Sequence, residues 1–170
     1  MILVPIAYAT PAYDQLVKIR QDVLYNPLNA NLTIEDLELE YKDGHYALYD
    51  EHYRMLGGLV IIRKEEECDD EVETKRRIVV IRQVVVCKNF QRTGAGKAMI
   101  QQIESLLKKE GYKEIRLYSY EKAIPFYTNL GYQKMERTFN EKGVKHYRMK
   151  KKLTGTQKTE QADGQKKAEN

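Results

Sequence analysis

An almost unbroken apolar run, Ile78-Val79-Val80-Ile81-Arg82-Gln83-Val84-Val85-Val86-Cys87, leads into Gln91-Arg92-Thr93-Gly94-Ala95-Gly96, and helical spacing begins at Lys97. A strand with so few polar residues is covered on both faces, so it belongs in the middle of a sheet. Its exit through two glycines restricts what can follow. Glycine lets a backbone turn sharply and approach a ligand closely. The free N–H groups and positive dipole end of a following helix favour an anion. A central strand that passes through this loop into a helix is built to hold a phosphate.

Spacing separates three phosphate-loop readings. A nucleoside-triphosphate loop requires G-x-x-x-x-G-K-[ST]. Gly96-Lys97 is present, but Gln91 stands at the first glycine and Ala98 at the hydroxyl that would hold Mg²⁺. A dinucleotide fingerprint requires G-x-G-x-x-G; Gly94 and Gly96 fit, and Met99 occupies the third position. The pattern Q/R-x-x-G-x-G/A is satisfied in full by Gln91, Gly94 and Gly96. An ordinary strand–helix turn that uses glycine only for its geometry stays open on the loop alone.

A second signature follows about thirty residues later: Lys122-Ala123-Ile124-Pro125-Phe126-Tyr127-Thr128-Asn129-Leu130-Gly131-Tyr132, which fits A-x-x-F-Y-x-x-x-G-[FY]. The two segments, in this order and at this distance, resemble the GNAT superfamily of acetyl-CoA-dependent N-acetyltransferases. The resemblance runs over most of residues 1–153 and is strongest from Arg82 to Gln133. It implies an α/β (α+β) fold with a mixed, mostly antiparallel central sheet flanked by helices. That sheet splays open beside the central strand to admit the pantetheine arm of acetyl-CoA.

By the same resemblance, the backbone of Val84 and Val86 pairs with the pantetheine amides, as an added strand would. One such N–H stabilises the oxyanion of the tetrahedral intermediate. The backbone of Gln91, Arg92, Thr93, Gly94, Ala95, Gly96 and Lys97 cradles the pyrophosphate. The implied reaction is direct attack by an amine on the thioester. Tyr127 matches the position that protonates the departing thiolate, and Phe126 reads as a core aromatic. The base is not readable; Glu121 is a candidate beside the motif, with an exposed carboxylate at a helix start as the plainer reading. Arg20, on the opening helix, is a candidate for pairing with an acidic substrate group, with a surface arginine as the plainer reading. Two positions depart from the pattern: Arg92 stands where glycine is frequent, and Tyr120 where asparagine is frequent.

Composition narrows the function classes. The chain of 170 residues carries a formal charge of +4. Lys151, Lys152, Lys158, Lys166 and Lys167 against Glu160, Asp163 and Glu169 place a net +2 of this in the last twenty residues. No aromatics interleave with a basic run, so nucleic acid is not the expected partner. Two cysteines, Cys68 and Cys87, make no disulfide framework, and with three scattered histidines they offer no metal-ligand spacing. No apolar run approaches a membrane span and the N-terminus reads as a strand, so a cytoplasmic protein is expected. The expected ligands are acetyl-CoA, no metal, and a small amine acceptor favoured over a protein; a homodimer stays open. The alternatives are a coenzyme A-binding or interaction module without turnover, and a nucleic-acid-associated protein using the lysine-rich tail.

The rest of the chain yields one domain, residues 1–153, and a polar tail, 154–170, too poor in apolar residues to order. Thr10-Pro11 opens a first helix, with Ala12, Leu16, Ile19 and Val23 on its buried face. Thr33 to Asp36 resembles a capping box. Strands are expected at the N-terminus, at 46–49, 56–62, 78–87 and 115–118, and in a closing hairpin of 132–139 and 144–153. Gly57-Gly58 marks a bulge or a close backbone approach. The acidic stretch from Lys64 to Arg77 reads as a solvated loop.

Overall fold

The computed structural model describes residues 1–66, 76–141 and 143–153. The tail, Lys142 and most of the acidic connection, including Cys68, lie outside the described residues. Seven strands form one sheet: β1 (Ile2–Ile6), β2 (Gly44–Tyr49), β3 (Met55–Glu66), β4 (Arg76–Val86), β5 (Glu114–Tyr120), β6 (Gln133–Glu141) and β7 (Val144–Lys152). Their order is β1-β2-β3-β4-β5-β7-β6, which puts the apolar run of β4 at the centre. Among the described residues only β4 and β5 pair in parallel, and the other neighbour pairs are antiparallel. A parallel pair needs a crossover, and α3 (Ala95–Lys109) supplies it.

α3 lays Met99, Ile100, Ile103 and Leu107 against Val79, Ile81, Ile115 and Leu117, all buried in one large cluster. Gly111, at φ +85, turns the chain after the helix ends. The other face carries α1 (Pro11–Arg20), capped by Thr10 accepting from the Tyr13 N–H. Its Leu16 packs with Ala47, Met55 and Val85 in a much smaller cluster, with Ala12, Ile19 and Val23 partly buried beside it. α1 runs on into a π-helical turn, Gln21–Tyr25, before a 3₁₀ turn at Asn26–Leu28. Thr33 and Asp36 form the expected capping box of α2 (Ile34–Glu38). A short α4 (Ile124–Asn129) precedes the closing hairpin of β6 and β7.

The pairing of β4 with β5 covers Ile78↔Glu114 to Ile81↔Leu117 and stops there, although the strands run on to Val86 and Tyr120. The sheet therefore splits beside its central strand. At the same level β4 is bulged. Gly58 and Val60 on β3 face Val85 and Arg82 on β4, so β4 holds the extra residue. Gln83 sits in this bulge in the left-handed region, φ +51, where a non-glycine residue is uncommon. The bulge therefore lies on β4 at Gln83-Val84, opposite Leu59 and next to Gly57-Gly58 rather than in them. These glycines instead serve close approach: a Cβ on Gly57 would strike the Val85 carbonyl, and one on Gly58 the Tyr46 carbonyl and Leu16.

Candidate active site

The loop of residues 91–96 is a turn that leaves a helix end open. Lys88–Phe90 makes a 3₁₀ turn after β4, and Thr93 Oγ1 donates to the Phe90 carbonyl at 2.7 Å. Gln91 Nε2 donates to the Val86 carbonyl at 3.0 Å, tying the loop to the strand end. Arg92 takes φ +63, which explains why glycine suits this position; a side chain there costs about 1–2 kcal/mol. Gly94 follows at φ +89 and is the N-cap of α3, with no side-chain cap hydrogen bond. The helix begins at Ala95, two residues earlier than its apolar spacing suggests, because the left-handed turn at Gly94 buries the Ala95 methyl. Arg92 and Lys97 are exposed.

A cleft of about 200 Å³ occupies the split between β4 and β5. Arg82, Gln83 and Val84 line it from β4, and Tyr118, Ser119 and Tyr120 from β5. Leu24, Tyr25 and Leu28 close it from the turns after α1, and Ala123, Tyr127 and His146 from the other side. Tyr127 is buried, and burial followed by the nearby Tyr120 pushes its phenol well above the ordinary range. The phenol is therefore protonated at neutral pH, as an ordinary phenol is, and Tyr127 lines the cleft. His146 stands opposite Tyr120 on β7 and stacks on Phe139, ring centroids 5.2 Å apart. Its Nδ1 lies 2.9 Å from the Val144 carbonyl. A carbonyl only accepts, so Nδ1 carries a proton, and in the neutral ring Nε2 is the acceptor.

The residues singled out in the sequence are distributed unevenly around this cleft. Val84 and Tyr127 line it; Val86 lies at the strand end, its carbonyl taken by Gln91. Glu121 is exposed, opens the 3₁₀ turn Glu121–Ala123, and is not among the cleft-lining residues. Arg20 is neither a surface side chain nor open to a ligand. It is fully buried and paired through both terminal nitrogens with Glu40, at 2.9 and 2.5 Å. Tyr13 Oη and Gln83 Nε2 also donate to Glu40, each at 3.2 Å, and His45 Nε2 stands 3.5 Å from it. Phe126 is not a core aromatic: it is 36% exposed and lies over Gly96, while Tyr127 takes the buried place. His146 was missed because single histidines far apart in sequence carry no spacing signal. The buried network on Glu40 was missed because its members come from separate elements.

Residues 43–153 match the family described as Acetyltransferase (GNAT) domain, and the chain belongs to this family. Uncharacterized protein YyaT of Bacillus subtilis (strain 168) is 28% identical over 74 residues, 44% of this chain and 50% of that protein. The chain spans about half the length of the curated relatives it matches. A GNAT-family acetyltransferase from Staphylococcus aureus Mu50 superposes with a TM-score of 0.64 at 19% identity, covering 90% of this chain and 100% of that one. An aminoglycoside 6'-N-acetyltransferase complexed with coenzyme A gives 0.67 at 16% identity, covering 93% and 100%. At these identities the likeness is one of fold. Among the described residues no helix is long and apolar enough to cross a membrane, and no His, Cys, Asp and Glu group could hold a metal ion.

Proposed function

We propose that this chain transfers the acetyl group of acetyl-CoA to a primary amine of a small molecule. The observation that carries the reading is the split itself: the β4–β5 pairing ends at Ile81↔Leu117 and opens a cleft that Tyr127 lines. In this reading the uncapped start of α3, with the backbone of Arg92 to Lys97, binds the pyrophosphate. The pantetheine arm lies along Val84 and Val86 and brings the thioester between Tyr127 and His146. The amine nitrogen attacks the thioester carbonyl, and a strand N–H stabilises the resulting oxyanion. As the C–S bond breaks, Tyr127 donates its proton to the leaving sulfur. The proton lost by the attacking nitrogen goes to His146 Nε2. His146 replaces Glu121 as the base in this scheme, because Glu121 is not among the cleft-lining residues.

Tyr127→Phe tests the assignment, because it removes the hydroxyl and keeps the ring. A positioned acid contributes about 10²–10⁴-fold. We expect kcat for thiol release, measured with the best amine of a panel, to fall by roughly that factor, with acetyl-CoA affinity by calorimetry little changed. A variant with the parent kcat, where chemistry limits the rate, would return Tyr127 to a packing role. Wild-type protein that binds acetyl-CoA and acetylates no amine would point to a coenzyme-binding module.

A further inference from the structure

A second groove, of about 410 Å³, meets the cleft at Arg82 and Tyr118, which line both. Its other walls are Ile62, Lys64, Val80, Phe139, Asn140 and Arg148. It contains three cationic side chains and no carboxylate. Among the described residues, none of Lys64, Arg82 and Arg148 makes an ion pair; Asp43 feels the charge of Arg82 without pairing with it. Arg148 is held by aromatic faces, its guanidinium 5.9 Å from the Tyr118 ring centre and 5.8 Å from that of Phe139. These rings meet edge to face at 4.9 Å. Arg148 Nε is buried and has no hydrogen-bond partner. Like charges gathered with no ion-paired carboxylate among the described residues repel one another, and a buried donor without a partner is costly. An oxyanion in the groove would relieve both.

The coenzyme's phosphates do not fill that role. Side chains alternate along β4, so Val80 and Arg82 point away from Val79 and Ile81, which pack against α3. The phosphate loop opens α3, whereas the groove lies on the opposite face of the sheet. The ligand that reaches the shared residues from this face is the acceptor.

We infer that the acceptor is an acidic amine: its carboxylate or phosphate sits among Lys64, Arg82 and Arg148, and its amino group enters the cleft beside Tyr127 and His146. This rests on the transferase reading and names its substrate class. Arginine is suited to the task, since its planar fork pairs with either oxyanion through two hydrogen bonds.

The test uses the full chain and two matched pairs of amines: an α-amino acid with its carboxamide, and an aminoalkyl phosphate with the corresponding amino alcohol. The carboxylate pair and the phosphate pair distinguish the two oxyanions. With acetyl-CoA, we expect kcat/KM for the acidic member of at least one pair to exceed that of its neutral partner about 10-fold or more. Arg148→Gln should lower the acidic member's kcat/KM by about 10–100-fold through KM, and leave the neutral amine and the KM of acetyl-CoA unchanged. Lys64→Gln, at an exposed side chain, should give a smaller loss in the same direction. Equal turnover of acidic and neutral members, or an equal loss for both in the variants, would overturn the inference. Calorimetry of the four amines on coenzyme A-loaded protein separates this from the transferase reading. Selective binding of an acidic member, lost in Arg148→Gln, supports the groove even without turnover. Absence of selective binding overturns it, whatever Tyr127→Phe shows.

Discussion

The two faces of the sheet are held by different chemistry. On the α3 face a large apolar cluster binds the helix to β4 and β5, with Met99, Ile100, Ile103 and Leu107 fully buried. On the α1 face the apolar cluster has four buried members, and a buried carboxylate, Glu40, gathers Arg20, Tyr13, His45 and Gln83. The apolar face carries the loop that opens α3. The polar face reaches Gln83, the bulged residue of β4 that lines the cleft. A left-handed glutamine in a central strand is strained, and it persists only where its surroundings fix it. The hydrogen bond from Gln83 to Glu40 is a fixing contact. Apolar packing thus builds the fold, and polar pairing shapes the place where the sheet opens.

The largest effect on the polar face is expected at Arg20. Arg20→Ala strands the Glu40 carboxylate in the interior, which typically costs about 3–5 kcal/mol. For a chain of this size that is on the order of 10 °C in melting temperature. Ile103→Ala on the opposite face leaves a cavity and costs about 2–5 kcal/mol. Thermal melts should show an interaction between Arg20→Ala and Glu40→Ala, the double variant being more stable than the sum predicts. Between Ile103→Ala and Arg20→Ala the effects should add. Additivity at the Arg20–Glu40 pair would remove the polar network from the account.

A smaller effect sharpens the same contrast by pH. Burial alone would raise the Glu40 carboxyl, but His45 and Arg20 more than reverse this and hold it at about 2, against an ordinary value of 4.5. Its folded pKa is depressed, so the stability it contributes is full above about pH 4.5 and is lost as pH falls towards 2. Asp43 runs the other way, its carboxyl raised by burial and then by the Glu40 charge. The measurement is therefore a difference. Across this acid window the melting temperature of the parent should fall more steeply than that of Glu40→Gln, and parallel curves would contradict the assignment. Ile103→Ala should keep the slope of the parent.

What the sequence disclosed follows the same division. Apolar spacing located α3 and the central strand, and local capping chemistry located the starts of α1 and α2 at Thr10 and Thr33. These are short-range signals, as is the Gln91-x-x-Gly94-x-Gly96 loop. The split was legible only through the family resemblance, because nothing in the residues of β4 states where its partner leaves it. Gln83 in the bulge is hydrogen-bonded to Glu40, 43 residues away, and Glu40 in turn to Arg20. Neither the groove lined by Lys64, Arg82 and Arg148 nor the place of His146 has a sequence period, since their walls come from different strands. Phe126, expected in the core, is instead the more exposed of the two neighbouring rings; adjacent aromatics in the six-residue α4 carry no periodicity that marks which one is buried.

If the loop opening α3 holds coenzyme A, calorimetry of Gly94→Val will show it. Beyond its chain neighbours a Cβ at Gly94 meets no heavy atom within 4 Å, so the substitution adds bulk into open space at the helix end. At φ +89 a branched side chain also strains the turn, so affinity is measured well below the variant's melting temperature. We expect the parent to bind coenzyme A and folded Gly94→Val to bind it at least about 10-fold more weakly, a difference of about 1.4 kcal/mol. Unchanged affinity in a folded Gly94→Val protein would contradict the account.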